Sequence, residues 1–135
     1  MKYLLDTSVW IRAVRAPHEL PAKIRALLND ETERFGLSVV STWEVCRKHA
    51  RGRLPLPMPL DQWMQVALAA NIGLVDLTPA IAMEAHREPF LHDPFDGIIV
   101  ATARLHGLTL VHSDHQLKGH PAVRSELYFK PRVKY

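Results

Sequence analysis

Short apolar runs alternate along the chain with stretches whose apolar residues recur at helical spacing, a pattern that predicts strands separated by helices. The clearest case lies between His92 and Asp114. Asp93 stands as N-cap, Pro94 takes the first helical position, Ile98 to Ala103 form an apolar run, and Gly107 predicts the stop. Leu108 to His112 follows at once as a buried strand. Apolar side chains occupy nearly every turn of this helix, so a sheet and other helices are expected to cover most of it.

Upstream, Lys2 to Leu5 predicts a first strand ending at Asp6-Thr7-Ser8, with Ser8 capping an amphipathic helix that begins Val9-Trp10-Ile11. A second helix is expected from Glu19 to Leu28, with Pro21 in its first turn. Phe35 to Val40 predicts the second strand. Ser41-Thr-Trp-Glu44 then has the form of a capping box for a helix running from Val45 to about Ala50 and ending near Gly52. On that reading Glu44 needs no role beyond capping its own helix.

Arg51 to Leu60 carries prolines at positions 55, 57 and 59 and predicts an extended connector, with arginines that suit either a solvated surface or a partner. Leu60 to Ala70 predicts a helix with Trp63, Val66, Ala67 and Ala70 toward the core. Gly73 to Leu77 predicts a third strand, and Thr78-Pro79 opens a helix through about Arg87. Glu126 to Lys130 predicts an edge strand closed by Pro131. Five strands separated by helices imply an α/β fold, a mainly parallel sheet with helices on both faces and right-handed connections.

Composition narrows this picture without redirecting it. With 135 residues, 47% of them hydrophobic, the chain suits one domain over 1–135 with one sizeable core. No apolar run is long enough to cross a bilayer, and the amino terminus enters a strand pattern instead of a signal peptide, so a soluble, cytoplasmic protein without membrane contact is expected. The single cysteine, Cys46, excludes an internal disulfide and a cysteine-based zinc cluster and reads as a packing residue. A net charge of +3 and a pI of about 9.2 suit an anionic partner.

The acids change the picture more. In an open parallel sheet, ligands bind beyond the carboxyl ends of the strands. Asp6 ends the first strand, Glu44 lies in the helix turn after the second, Asp96 at a helix start on the same rim, and Asp114 just past the fourth strand. Each alone passes as a turn former or a helix-terminus charge. Together on one edge they repel, and helix dipoles do not relieve the mutual repulsion of four carboxylates. A hard divalent cation does, and oxygen-only ligands point to Mg²⁺ or Mn²⁺ over zinc. A pair of such ions about 4 Å apart suits phosphodiester hydrolysis. Arg47, Lys48, Arg51 and Arg53, close to Glu44 along the chain, are candidates for contacts to substrate phosphates.

At these residues the chain resembles a known family. Tyr3-Leu-Leu-Asp6-Thr-Ser8, Ser41-Thr-Trp-Glu44-Val, Asp93-Pro-Phe-Asp96 with Ile99 to Ala103, and Leu110-Val-His-Ser-Asp114 resemble the PIN domain, in particular the VapC-type ribonuclease toxins of bacterial toxin–antitoxin pairs. The resemblance runs from Met1 to about Tyr128. It implies a three-layer α/β/α sandwich, a homodimer, an antitoxin partner, and Mg²⁺-dependent endonucleolytic cleavage of RNA. Carried over, the family's metal-binding and catalytic acids are Asp6, Glu44, Asp96 and Asp114. Ser8, Asp93 and Ser113 are implied as supporting positions, Ser8 holding the first acid or a water and Asp93 capping the helix beside the site. Trp43, Glu44 and Lys48, with Gly52-Arg53-Leu54, match a pattern of one subgroup. Gly97 stands where the family often has arginine, and His112 where it often has threonine.

Other readings meet contradictions in the sequence. A phosphoaspartyl phosphatase needs D-x-D after the first strand, where position 8 is serine. A response-regulator receiver, suggested by Asp76 and Lys130, needs adjacent acids there, where Asp6 has Thr7 beside it. Zinc held by His112, His115 and His120 lacks regular spacing. A PIN-like module that binds RNA or protein without cutting is the non-enzymatic alternative, and its mark would be the loss of an acid.

Overall fold

The computed structural model describes residues 1–68, 71–87 and 93–131. In chain order these form β1 (Tyr3–Leu5), α1 (Thr7–Arg15), a 3-10 turn (Pro17–Glu19), α2 (Ala22–Leu28), β2 (Phe35–Ser38), α3 (Val39–Ala50), α4 (Leu60–Ala67), β3 (Ile72–Val75), α5 (Pro79–Ala85), α6 (Pro94–His106), β4 (Thr109–His112) and β5 (Glu126–Tyr128). The strands make one parallel sheet in the order β3-β2-β1-β4-β5. The predicted α/β sandwich and its five strands are therefore present, and β5 is an edge as expected.

The pleat explains the two cores. Successive side chains on a strand point to opposite faces, and a parallel sheet covered on both sides buries both sets. Leu5 and Val111, paired in register, join Trp10, Leu37 and Trp63 on one face. Their neighbours Leu4 and Leu110 join Ile99, Val100 and Ala103 of α6 on the other. Trp10 and Trp63 meet edge to face at 5.3 Å between centroids, and the Trp10 indole N–H donates to the Ala67 carbonyl at 2.9 Å, which ties α1 to α4. α6 begins with Asp93 as cap and Pro94 at its first position, and Gly107 ends it at φ 62°, a left-handed conformation that favours glycine.

Four local expectations are corrected. Ser8 does not cap the first helix. Asp6, already extended at the strand end, accepts from the Thr7 N–H at 2.9 Å, and α1 opens at Thr7. The Ser41-to-Glu44 capping box does not form either. Ser38 ends β2 and accepts from the Val40 N–H, so Val39 and Val40, β-branched and strand-like by propensity, open α3. Glu44 thus sits in the second turn, beyond the reach of a cap. The expected helix from Glu19 is divided: Pro21 takes the N-cap position of α2, and the residues before it form the 3-10 turn. Val66 is also 57% exposed instead of core. Ala70 lies outside the described residues.

The strand order fixes where a site belongs. From β1 the chain moves outward through β2 to β3, then returns to the other side of β1 for β4 and β5. The reversal falls between β1 and β4, the position where open α/β sheets form a binding crevice.

Candidate functional site

A cleft of about 390 Å³ opens at this switch point, lined by Asp6, Thr7, Ser8, Arg12, Glu44, Lys48, Asp93, Asp96, Ser113, Asp114 and Pro131. All four predicted acids reach it, with the supporting Ser8, Asp93 and Ser113. Each arrives by a different element. Asp6 follows β1, and its own N–H donates to the Val111 carbonyl at 3.0 Å. Asp114 follows β4, Glu44 projects from α3, and Asp93 and Asp96 lie at the head of α6.

Two residues beyond the predicted set, Thr7 and Arg12, organise the site. Thr7 Oγ1 donates to Glu44 Oε1 at 2.7 Å and lies 2.7 Å from Ser41 Oγ. The one Thr7 hydroxyl proton goes to Glu44, so Ser41 donates to Thr7. All three residues are buried, and the chain links the head of α1 to α3. Nothing in local spacing signals it, because Thr7 and Glu44 are 37 positions apart. Ser8 Oγ donates to Asp6 Oδ2 at 3.3 Å. Arg12, on the second turn of α1, donates from Nη1 to Ser113 Oγ at 3.0 Å. It and Lys48 are the cations among the described residues of a cleft with five carboxylates.

The carboxylates feel one another. Burial, followed by Asp6, Asp93, Asp114 and Glu44, pushes the Asp96 carboxyl up to about 8. Burial also raises Asp6, against hydrogen bonds from Thr7 and Ser8. Burial raises Glu44 despite the Thr7 hydroxyl and the nearby Lys48. Among the described residues no three His, Cys, Asp or Glu side chains converge on one point as a ready-made metal cage. The donor set nevertheless fits Mg²⁺ or Mn²⁺, since Mg²⁺ commonly uses one or two carboxylates and keeps several waters.

His112 explains its departure from threonine. Fully buried at the end of β4, it accepts at Nδ1 from the Asp114 N–H at 3.2 Å, which leaves Nε2–H to donate to Glu126 Oε2 at 2.8 Å. It is engaged in holding the turn at Asp114 and is not part of a histidine zinc site. Gly97 is buried with its Cβ direction toward Ala85 of α5, 3.6 Å from that carbonyl oxygen, and is not among the residues lining the acid cleft. Its small size suits helix contact.

Beside the acid cleft lies a second of about 350 Å³, lined by Glu44, Arg47, Lys48, Arg51, Arg53, Asp93, Pro94 and Phe95. All four predicted phosphate-binding cations face this space. Glu44, Lys48 and Asp93 line both clefts, which are therefore contiguous.

The comparisons with known proteins agree with this arrangement. Three solved structures share the fold: a DNA-bound VapBC from Salmonella typhimurium (TM-score 0.71, 18% identity, 95% of this chain and 98% of that one), VapBC2 of Rickettsia felis bound to a promoter DNA fragment (0.70, 14%, 95% and 98%), and a toxin–antitoxin complex from Klebsiella pneumoniae (0.65, 22%, 92% and 97%). Ribonuclease VapC22 of Mycobacterium tuberculosis is 32% identical over 93 residues, covering 67% of this chain and 71% of that protein. The PIN domain family model matches residues 3–122, almost the whole described sheet and every acid of the cleft, and the chain belongs to the PIN domain family, in its VapC-type branch.

Proposed function

We propose that this protein is an endoribonuclease that hydrolyses RNA phosphodiester bonds with Mg²⁺, or Mn²⁺ in its place, and serves as the toxin of a toxin–antitoxin pair. The observation that carries the reading is the gathering of Asp6, Glu44, Asp96 and Asp114 in one cleft at the sheet's switch point, where the Asp96 carboxyl is pushed up to about 8 by burial and its acidic neighbours. An environment that disfavours charge to this extent is one that a divalent cation would relieve.

Asp6 and Asp96 are the principal metal ligands on this reading, with Glu44 and Asp114 flanking them. When bound, the cation lowers the pKa of a water and stabilises the leaving oxygen. Thr7 fixes the rotamer of Glu44, and the His112 contact fixes the turn that presents Asp114. Arg47, Lys48, Arg51 and Arg53 take the phosphates on either side of the scissile bond. The antitoxin belongs to the proposal because the relatives that share the fold come from toxin–antitoxin complexes. A homodimer also belongs to it, and exposed Leu74, Leu77 and Met83 offer apolar surface for one.

Incubation of the purified protein with RNA tests the reading. Cleavage should require Mg²⁺ or Mn²⁺, stop on addition of EDTA, and vanish in Asp6→Asn and Asp96→Asn while circular dichroism shows the fold retained. Cleavage that persists in EDTA, or near-normal turnover by either variant, overturns the assignment.

A further inference from the structure

The cation-lined cleft beside Glu44 ends on an aromatic surface that the phosphate contacts leave unused. Trp43 is 54% exposed, whereas the other two tryptophans, Trp10 and Trp63, are 1% and 2% exposed. Its ring lies 5.3 Å from that of Phe95, tilted by 40°, and the Arg47 guanidinium carbon sits 5.5 Å from the indole centroid. Trp43 is thus held from two elements, α3 and the head of α6, with over half of its surface open. It also directly precedes Glu44, whose side chain is buried and lines the acid cleft. Adjacent positions on a helix diverge by about 100°, so one residue of the pair lines the acids while the next lies on the outer surface.

We infer that Trp43, steadied by Phe95 and Arg47, is a nucleobase subsite on which an unpaired base next to the scissile phosphate stacks. The inference rests on the ribonuclease reading for the identity of its ligand. An exposed, oriented ring flanked by a cationic track is the combination by which single-stranded nucleic acid is held: the cations follow the backbone and the ring takes a base of any identity. Arg47, Lys48, Arg51 and Arg53 supply that track in the adjoining cleft, whose lining residues Arg47 and Phe95 both touch the Trp43 ring, and a run of cations leading to an open indole suits a polyanion with π-faces.

The test compares the Asp96→Asn protein, with Trp43 intact, and the Trp43→Ala and Trp43→Phe variants in that background. Each is titrated with a short single-stranded RNA and with an abasic ribose-phosphate strand of equal length. Because Trp10 and Trp63 are buried, quenching of the intrinsic fluorescence reports Trp43. RNA is expected to quench the emission and the abasic strand to leave it unchanged. Trp43→Ala should weaken RNA binding roughly ten-fold, leave abasic-strand binding unaltered, and be largely rescued by Trp43→Phe. Equal losses on both strands, or unchanged RNA affinity, overturn the subsite. So does a shift from dimer to monomer in Trp43→Ala with RNA affinity intact, which assigns this face to a second copy. Metal-dependent cleavage by the unsubstituted protein is assayed in parallel: its absence would overturn the ribonuclease reading, whereas the stacking signals decide the subsite in either case.

Discussion

Thr7 Oγ1 donates a 2.7 Å hydrogen bond to Glu44 Oε1, joining the residue after Asp6 at the end of β1 to the second turn of α3. Both are buried, and Ser41 completes the chain. Glu44 is consequently a carboxylate whose position is set by another element, in contrast to a helix-capping acid that serves its own turn.

Thr7→Val keeps the shape and removes the donor, leaving Glu44 Oε1 in a buried position without its partner. Removal of a group that orients a metal-site ligand commonly costs about 10- to 100-fold in metal affinity or activity. Cleavage should fall within that range, with Thr7→Ser retaining most of it. A Thr7→Val protein with unaltered Mg²⁺ dependence and rate would show that Glu44 needs no such support.

The acid cleft predicts an unusual pH dependence. The Asp96 carboxyl lies at about 8 in the fold and has an ordinary value of 3.8, raised by burial and then by Asp6, Asp93, Asp114 and Glu44. Between those values the folded chain binds more protons than the unfolded one, so this group's contribution to stability is full below the ordinary value and is lost as pH rises toward 8. In EDTA, wild type should gain less thermal stability than Asp96→Asn, or lose more, between about pH 5 and about pH 9. Mg²⁺ should flatten the difference by favouring the ionised form. Parallel melting curves for the two proteins at every pH, without metal, would contradict the electrostatic account.

Much of this was legible because the strands are short, apolar and punctuated: the Pro94 start, the Gly107 stop and the five strand positions all follow from local chemistry. The four acids could be assigned to one edge because strand ends in a parallel sheet share a rim. What local pattern could not supply was competition between caps. Ser38 and Asp6 both precede the residues that spacing favoured, and each won because it stands extended at a strand end with its side chain beside the first free N–H groups. Arg12 and Thr7 stayed hidden for another reason. Their partners, Ser113 and Glu44, are distant in sequence and meet only through the β1–β4 and β1–β2 pairings.

The His112–Glu126 contact supports the turn at Asp114 from the edge strand. Glu126 also accepts the Gly119 N–H at 2.9 Å through its other oxygen. Glu126→Ala leaves the Nε2–H of a fully buried ring without its acceptor, a loss of about 1–3 kcal/mol. Thermal or denaturant unfolding should register that loss, and Glu126→Gln, which keeps an acceptor, should recover much of it. Unchanged stability in the alanine variant would mean that the contact is not maintained in solution.

Arg47, Lys48, Arg51 and Arg53 line one cleft, and the phosphate contacts proposed for them should be separable from the proposed stacking on Trp43. Replacing Arg51 and Arg53 with alanine should weaken RNA binding and lower the slope of log affinity against log salt by roughly 0.7 to 1 for each phosphate that is no longer neutralised. Binding of the abasic strand should suffer equally, in contrast to Trp43→Ala. A salt slope that does not change would assign the two arginines to solubility or to a protein interface.

Inhibition by a partner follows from the charge of the acid cleft, where, among the described residues, Asp6, Glu44, Asp93, Asp96 and Asp114 face only Arg12 and Lys48 as cations. An arginine presented by another protein would meet carboxylates that accept its planar fork in bidentate fashion, and it would stand where the proposed cation and scissile phosphate would lie. The antitoxin is therefore expected to silence the nuclease by inserting a basic side chain among these acids. Expressed alone in a heterologous bacterium, the wild-type chain should arrest growth and Asp6→Asn should not. Co-expression of the antitoxin should restore growth, and replacement of the antitoxin's inserted arginine by alanine should weaken that rescue. Equal harmlessness, or equal toxicity, of wild type and Asp6→Asn would remove the toxin reading, and full rescue by an antitoxin without the arginine would remove the proposed mode of inhibition.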